Sequence, residues 1–489
     1  MARFPDPGRE AGLMLADLPA RAGAQAGQGS AVALMTSGLA AFAARVQAAR
    51  AATASLDLQY YIWRDDLTGR LLAREVMRVA DRGVRVRVLL DDMYAIGRER
   101  VLTAMDAHPN IEVRLFNATT WRRFGQLGLL LEIAFGGWHL NRRMHNKAWI
   151  ADGQLAICGG RNIGDEYFDA SGEFNFRDLD LAICGEAAAS AQHIFERYWN
   201  HRLARPVTEV SQLPRRRNGL RGLTARLEAA WRAPEAKPLF EELRADADVA
   251  EVLKGDPSRR SSVGPHDIQV LADPPEKALG LAPEADCLAT TILAVLRTAR
   301  QEALLISPYF VPGAEGAALL EDLARRGVRI SVVTNSLAAT DVVAVHGGYA
   351  RYRERLLEAG VELHELKPSG EEGASVFGSR GASLHTKALV VDCETAFVGS
   401  FNLDPRSVML NTEMGTFVHH PEIARQLCAE HGRLAEPARS WRVTRSGSGL
   451  AWTAEVGGAE VTRHVEPDAS VSRRILARLV GMLPLESQL

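Results

Sequence analysis

The chain has 489 residues, of which 47% are hydrophobic and 24% charged, and its 58 basic residues nearly balance 60 acidic ones for a net charge of −2. Such a length predicts two or more domains, and the composition is typical of a globular protein rather than of a disordered or collagen-like chain. The balanced charge gives no general attraction to nucleic acid, so nucleic acid is not expected as a partner.

The cysteines and the first residues bear on the compartment of the protein. The five cysteines include no CxxC pair, so the pattern predicts no zinc site and favours free thiols in a reducing compartment. Proline and charged residues interrupt the apolar residues near the N-terminus, which predicts no secretory signal. No apolar run approaches the roughly 20 residues of a spanning helix, and the nearest candidate, residues 128–138, contains Glu132. We therefore expect a cytoplasmic protein that does not cross a membrane.

A unit in the first half of the chain is repeated in the second half. Residues 55–63 (SLDLQYYIW) and 302–311 (EALLISPYFV) each have the pattern of a β-strand that ends in aromatic residues. Each is followed by a helical stretch and a second β-rich run, GVRVRVLLDD from Gly83 and GVRISVVTNS from Gly327, and glycine commonly ends a helix. The repeated order predicts two similar α/β units related by a pseudo-twofold axis.

A nonapeptide follows the β-rich runs in each half. The first is MHNKAWIAD at residues 144–152 and the second is LHTKALVVD at residues 384–392. Each begins a predicted β-hairpin, because an apolar run, a polar turn and a second apolar run follow one another. Side chains two residues apart on a strand point to the same face. Two pairs are therefore expected to share a face each: His145 with Lys147, and His385 with Lys387.

Each hairpin is followed by a glycine-containing loop that ends in asparagine: GGRN ends at Asn162, and GSFN ends at Asn402. Attack on a phosphodiester produces a transition state whose phosphoryl oxygens require fixed cations and donors, and the two lysines and two asparagines can supply them. One neutral imidazole can attack phosphorus, while the other, protonated, donates its proton to the departing alkoxide. The glycines are also compatible with simple turns that do not contact phosphate.

The doubled HxKxxxxD pattern, followed by GGRN and GSFN, resembles the phospholipase D superfamily. Within it, residues 334–368, residues 140–147 and the MLPLE ending are similar to bacterial cardiolipin synthases of the C-type group. The resemblance implies two pseudo-twofold-related α/β sandwich domains, each with a mixed central β-sheet flanked by helices. It also implies one active site between them that uses neither a metal ion nor an organic cofactor. The implied catalytic set is His145, Lys147, Asp152, His385, Lys387 and Asp392.

The resemblance also implies individual roles. In the family the motif aspartates, here Asp152 and Asp392, are largely structural, and a turn-forming role is favoured over a catalytic one. Carboxylates further along the chain orient the histidines, and Asp178 and Glu413 match those positions. The remaining implied roles are phosphate binding by Asn162 and Asn402, and nucleophilic attack by His145.

Composition and the motif positions together predict the domain boundaries. The segment between the repeats, with PRRRNG and GDPSRRSSVGP, has the composition of a connector. The predicted parts are a flexible segment at 1–35, a first phospholipase D-like domain at 36–205, a connector at 206–265, a second such domain at 266–440, and a β-like run with an amphipathic helix at 441–489.

Two segments are candidates for contact with a membrane. Trp121 to Arg143 mixes aromatics and leucines with flanking arginines, which is compatible either with an interfacial docking element or with a core helix and loop. In the C-terminal helix, Ile475, Leu479 and neighbouring apolar residues recur at helical spacing, and packing against the protein itself is favoured slightly over docking. His346 is compatible with either a head-group contact or an ordinary loop position.

Three functions are compatible with the doubled motif. The favoured hypothesis is a phosphatidyltransferase that makes cardiolipin from phosphatidylglycerol and a second phospholipid, which could be phosphatidylethanolamine. A phospholipase D-type lipid hydrolase is the main alternative, and a nuclease or other phosphodiesterase is the weaker one. We expect a monomer, because two halves of one chain complete the site. The lack of a secretory signal and the phospholipid substrate predict peripheral association with the inner face of the cytoplasmic membrane.

Overall fold

The structure is a computed structural model that describes residues 30–254, 261–263, 267–368, 381–447, 449–482 and 488. Among the described helices, none combines the length and the apolar character that crossing a bilayer requires. The strands of the first half are β1 (Ser30–Met35), β2 (Ser55–Tyr60), β3 (Arg85–Asp91), β4 (Ile111–Phe116), β5 (Ala148–Ala151), β6 (Leu155–Gly159), β7 (Asn175–Arg177), β8 (Asp180–Gly185), β9 (Ala204–Pro206) and β10 (Ser261–Val263). Those of the second half are β11 (Ile268–Ala272), β12 (Glu302–Ile306), β13 (Arg329–Asn335), β14 (Glu362–Leu366), β15 (Ala382–Leu384), β16 (Ala388–Val391), β17 (Thr395–Gly399), β18 (Met414–His419), β19 (Ser440–Ser446), β20 (Gly449–Val456) and β21 (Ala459–Arg463).

The α-helices flank these strands. They are α1 (Gly38–Ala51), α2 (Leu67–Asp81), α3 (Glu99–Met105), α4 (Gly125–Ala134), α5 (Glu186–Trp199), α6 (Val207–Ser211), α7 (Arg217–Arg232), α8 (Lys237–Ala245), α9 (Ala247–Lys254), α10 (Leu288–Arg297), α11 (Gly313–Arg325), α12 (Val343–Ala350), α13 (Arg353–Glu358), α14 (Pro405–Met409), α15 (Pro421–Ala435) and α16 (Val471–Met482).

Two mixed sheets have the same internal order. Within the described residues, the first sheet runs β10-β1-β8-β6-β5-β2-β3-β4-β9 and the second runs β11-β18-β17-β16-β12-β13-β14-β19-β20-β21. In each sheet three neighbouring strands are parallel, β2-β3-β4 and β12-β13-β14, and the rest pair antiparallel. The prediction of two mixed α/β units with helices on their faces is confirmed.

The two halves share one hydrophobic core. Apolar residues of β5 and β8 in the first half and of β12 and β16 in the second belong to a single buried cluster, together with one face of α5 and of α15. Each half has a further core on the opposite side of its own sheet. A core that continues between the sheets holds the halves in a fixed relation, because separating them would expose this apolar surface to water.

The predicted boundaries differ from the structure at three points. Strand β1 pairs with β8 along its whole length, so the predicted flexible segment 1–35 contained a sheet strand; its residues 1–29 lie outside the described residues. The predicted connector forms helices α7, α8 and α9, whose apolar residues join the first core. The C-terminal β-run is not separate, because β19 pairs with β14 and extends the second sheet.

The expectation of free thiols is wrong for two cysteines. Cys393, directly after the second motif aspartate, forms a disulfide with Cys428 on α15. Cys158, Cys184 and Cys287 are free and buried. No local pattern indicates this pair, because the two cysteines are 35 residues apart and meet only when α15 packs on the hairpin.

Candidate active site

The two nonapeptides form antiparallel hairpins in equivalent places. Strand β5 pairs with β6 and with β2, and β16 pairs with β17 and with β12. Since β5 is antiparallel to β2, the His-x-Lys segment that precedes β5 lies at the carboxyl end of β2. The second motif has the same relation to β12. Both His-Lys pairs therefore lie at the carboxyl ends of parallel strands, where open α/β sheets commonly bind ligands.

Backbone pairing between the halves brings the motifs together. A two-stranded parallel sheet joins β7 of the first half to β15 of the second. At its end, the His385 amide donates a hydrogen bond to the Arg177 carbonyl at 2.8 Å. On the other side of the site, the His145 amide donates to the Thr412 carbonyl, also at 2.8 Å. Each motif histidine is thus held by the backbone of the opposite half.

The carboxylate that orients each histidine also comes from the opposite half. Nδ1 of His145 lies 2.8 Å from Oε2 of Glu413, and Nδ1 of His385 lies 2.5 Å from Oδ2 of Asp178. Asp178 stands between β7 and β8, and Glu413 directly precedes β18. A carboxylate at Nδ1 fixes the ring and leaves Nε2 as the reactive nitrogen. The structure therefore assembles two crossed histidine–carboxylate pairs.

Glu413 is further held by two serines. Oγ of Ser400 donates to its Oε2, and Oγ of Ser407 donates to Oε1 at 3.0 Å. Burial alone would raise the pKa of the Glu413 carboxyl. The charge and hydrogen bond of His145 and the charge of Lys147 lower this pKa by more than burial raises it, so it ends below its ordinary value. Glu413 is consequently an ionised carboxylate beside His145.

Each motif lysine hydrogen-bonds to the backbone of its own motif histidine. Nζ of Lys147 donates to the carbonyl of His145 at 2.5 Å, and Nζ of Lys387 donates to the carbonyl of His385. Burial lowers the pKa of Lys147 to about 7 and that of Lys387 to about 8. Buried ammonium groups of this kind attract an anion strongly, because little water screens them.

Burial also controls the two histidines. It lowers the pKa of His145 to about 4, with Glu413 opposing the shift. The pKa of His385 lies well below its ordinary value, because burial, Lys387, Lys147 and His145 all lower it. Both imidazoles are therefore neutral at pH 7 in the empty site. An arriving phosphate anion would offset the two ammonium charges and make protonation of one ring easier.

Aromatic rings enclose the imidazoles. The ring of Tyr61 lies edge-on to His145, with centroids 5.0 Å apart, and Nζ of Lys147 is 5.7 Å from the Tyr61 centroid. His385 packs against Phe176 at 4.9 Å and Tyr167 at 5.2 Å. These rings exclude water, which strengthens every charge interaction in the site. The sequence indicated only that β2 ends in aromatics and did not single out these three residues.

The motif aspartates lie at the other end of the hairpins. Asp152 follows β5, opposite the amino end of β2, and its carboxylate accepts hydrogen bonds from the amides of Thr53, Ala54 and Ser55. Asp392 similarly accepts from the amides that lead into β12, at residues 300–302. The structure does not bring these two carboxylates to the histidines. They fix the start of a central strand instead, and these hydrogen bonds lower the pKa of each despite burial.

The two asparagines have different surroundings. Asn162 is buried; its Oδ1 accepts from the Ile62 amide at 3.1 Å and its Nδ2 donates to the Tyr167 hydroxyl at 3.0 Å. The Asn402 side chain is also buried, and its Oδ1 has no hydrogen-bond partner among the described residues. Asn162 thereby supports the Tyr167 ring that packs on His385.

Two groups of potential metal ligands occur among the described residues. In the first, Glu302 lies beside Cys393 and Cys428, and the disulfide occupies both sulfur atoms. In the second, His346 lies beside two glutamates, Glu365 and Glu466. The Arg353 guanidinium already contacts both of those carboxylates and supplies the positive charge that a metal ion would bring. His346 is therefore a buried residue of α12 in an ion-pair network and not the loop histidine or head-group contact that the sequence suggested.

Comparison with known proteins gives the family. The family described as "Cardiolipin synthase, PLD-like domain" matches residues 46–199 and 292–434, which include both nonapeptides. The chain belongs to this phospholipase D-like family. The two matched ranges exclude the helices α7 to α9 and the C-terminal strands and helix.

Individual relatives are similar over nearly the whole chain. Cardiolipin synthase C of Escherichia coli is 38% identical over 463 residues, covering 91% of this chain and 93% of the relative. An uncharacterised protein of Helicobacter pylori is 30% identical over 93% of this chain and 89% of its own. Among solved structures, the phosphatidylserine synthase of Haemophilus influenzae has a TM-score of 0.57 at 15% identity, covering 86% of this chain and 91% of its own. That last likeness supports the phospholipase D fold.

Proposed function

We propose that this phospholipase D-like protein is a phosphatidyltransferase that forms cardiolipin from phosphatidylglycerol and a second phospholipid. The observation that carries the proposal is the pair of crossed histidine–carboxylate contacts, His145 with Glu413 and His385 with Asp178. A site with two such pairs, two buried ammonium groups and aromatic walls fits a phosphodiester whose ester groups are lipids. The similarity to cardiolipin synthase C supports this choice of substrate.

In the first step, Nε2 of one histidine attacks phosphorus, a P–N bond forms, and the P–O bond to the head-group alcohol breaks. The second histidine donates its proton to the departing alkoxide. With phosphatidylglycerol as donor the leaving group is glycerol; with phosphatidylethanolamine it is ethanolamine. The ammonium groups of Lys147 and Lys387 stabilise the charge on the phosphoryl oxygens.

In the second step, the terminal hydroxyl of a phosphatidylglycerol molecule attacks the phosphohistidine. The histidine that lost its proton now accepts the hydroxyl proton, a new P–O bond forms, and the P–N bond breaks to release cardiolipin. Water in place of this hydroxyl would give phosphatidic acid. The aromatic walls around the imidazoles favour the lipid alcohol because they keep water from the intermediate.

His145 is the proposed nucleophile. Attack places positive charge on the imidazole ring, and the ionised Glu413 carboxylate, 2.8 Å from Nδ1, stabilises that charge. His385 is then the proton donor and later the acceptor. The motif aspartates take no part in this scheme, and Asn402 is the asparagine best suited to contact the phosphate.

The proposed partners are lipids in a membrane. The protein would act as a monomer, because both halves of the site already belong to one chain. Its lipid substrates would bring it to the inner face of the cytoplasmic membrane, where it would associate peripherally. Nucleic acid is not proposed as a partner, since the aromatic walls suit an uncharged lipid group better than a sugar-phosphate chain.

The test is turnover of labelled phosphatidylglycerol by the purified protein, with and without phosphatidylethanolamine. Cardiolipin as the main labelled product supports the proposal, and dependence of the rate on phosphatidylethanolamine identifies the donor. Phosphatidic acid as the sole product would show a hydrolase, and turnover of neither lipid would overturn both lipid functions.

A further inference from the structure

Helix α4 exposes an unusual amount of apolar surface. Leu127, Leu130 and Leu131 lie on its outer face, and Phe135 and Trp138 follow it with exposed fractions of 78% and 68%. The opposite face is buried through Gly128 and Leu129. When a helix is apolar on both faces, one face packs against the protein and the other can bind a second apolar surface.

The C-terminal helix α16 has the same two-sided character. Its small residues Ala477 and Gly481 pack against Gly347 of α12, so one face docks on the protein as the sequence favoured. The other face carries exposed large apolar side chains at helical spacing: Val471, Ile475, Leu476, Leu479 and Met482. Because these side chains are exposed, the packing of α16 against α12 does not explain why they are apolar.

Both helices are attached to loops at the mouth of the active site. Nε2 of the Gln126 side chain of α4 donates to the carbonyl of Met93 at 3.3 Å, next to Tyr94, whose ring packs on Tyr61 in the site. On the other side, Nε of Arg473 of α16 donates to the Leu337 carbonyl at 3.0 Å.

Asp341, in the loop that Arg473 contacts, lies near the site. Asp341 accepts a hydrogen bond from the Tyr309 hydroxyl at 2.8 Å, and its charge acts on both Lys387 and Tyr94. Residues that follow the two helices also meet, because the Asn141 side chain, seven residues beyond α4, donates to the Gln488 side chain at 2.8 Å. Gln488 is six residues after the end of α16, a reach of at most about 20 Å.

The charges around the two helices suit an anionic surface. Helix α16 contains three arginines and no acidic residue, and Arg478 is exposed. The one acidic residue of α4, Glu132, has its carboxylate occupied by the loop before the helix, through Thr119, Thr120 and the Trp121 amide. A second copy of the chain would bring like charges together in a symmetric contact, whereas anionic lipid phosphates would attract them.

We infer that α4 with Trp138 and α16 together form a bilayer-docking surface that seats the mouth of the active site on an anionic membrane. This surface deepens the proposed function and rests on it, because a diacyl lipid must leave a bilayer to reach His145. Apolar side chains enter the acyl boundary and the exposed Arg478 contacts a phosphate. Each half of the chain supplies one of the two helices.

The test measures sedimentation of the full-length protein with vesicles of phosphatidylglycerol and phosphatidylethanolamine. Two double variants remove one contact region each, Phe135→Ser with Trp138→Ser, and Ile475→Ser with Leu479→Ser. Each large side chain that leaves the acyl boundary should cost about tenfold in affinity, so each double variant should bind roughly a hundredfold more weakly. Val456→Ser, at an exposed site on the β20–β21 hairpin, is the matched control and should bind as the parent does.

Activity separates docking from chemistry. Both double variants should lose turnover of lipid in vesicles but retain turnover of short-chain phosphatidylglycerol dispersed in detergent. Vesicle binding equal to that of the parent protein would overturn the inference, as would a parent dimer that the same substitutions convert to monomers. If the variants lose vesicle binding while the parent turns over no lipid in either form, the docking surface stands and the proposed function fails.

Discussion

The crossed pair of His145 and Glu413 gives the sharpest test of the site. We predict that Glu413→Gln lowers kcat by about 10²- to 10³-fold. In the parent protein Nδ1 of His145 lies 2.8 Å from the Glu413 carboxylate. Glutamine retains an oxygen that can accept a hydrogen bond from this nitrogen, but it removes the negative charge. Two opposite unit charges about 4 Å apart at an effective dielectric constant of about 20 interact by roughly 4 kcal/mol, and that energy corresponds to about a thousandfold in rate.

The assay is single-turnover formation of labelled product from phosphatidylglycerol at saturating lipid, with circular dichroism to confirm the fold. Asp392→Asn is the matched control, because it also neutralises a motif-linked carboxylate, but one that among the described residues accepts its hydrogen bonds from the amides of residues 300–302. It should lower the stability by about 1 kcal/mol and leave kcat of the folded protein unchanged. A folded Glu413→Gln protein with kcat within about threefold of the parent would refute the role of this carboxylate.

Two further predictions concern titration and thiols. Because burial lowers the pKa of Lys147 to about 7 and of Lys387 to about 8, the free site loses positive charge as the pH rises through these values. We expect kcat/KM, which reports the free enzyme, to fall above about pH 7. The bound phosphate anion raises both pKa values, so kcat should hold to higher pH. A kcat/KM that stays level to about pH 9 would contradict this. Thiol titration of the unfolded protein should find three reactive thiols before reduction and five after it, and five before reduction would show that Cys393 and Cys428 are unpaired in the isolated protein.

The repeat in the sequence predicted most of the architecture. Strand periodicity and the position of each glycine turn are local properties, so the hairpins that carry the motifs and the parallel strands beside them could be predicted. Strand β1 was missed because it follows residues rich in alanine and glycine and makes all its pairings with distant strands, β8 and β10. The pairing of β19 with β14 and the disulfide between Cys393 and Cys428 likewise depend on contacts between remote segments.

The candidate site was predictable in content but not in arrangement. The spacing of histidine and lysine fixes which side chains share a face, and the resemblance indicated Asp178 and Glu413. The exchange of these carboxylates between halves depends on how the two sheets dock, which no local pattern encodes. The same holds for Tyr61, which becomes part of the site only because β2 ends beside His145.

The most direct test of the central claim is to trap the covalent intermediate. The account predicts that His385→Ala, mixed with a labelled phosphatidyl ester of p-nitrophenol and quenched in base, accumulates one phosphatidyl group on the peptide that contains His145. Nitrophenolate departs without a proton from His385, so the first step proceeds, whereas the second step lacks its general base. His145→Ala should accumulate none. A label on another residue, or no covalent label in any variant that still turns over lipid, would contradict the two-histidine mechanism.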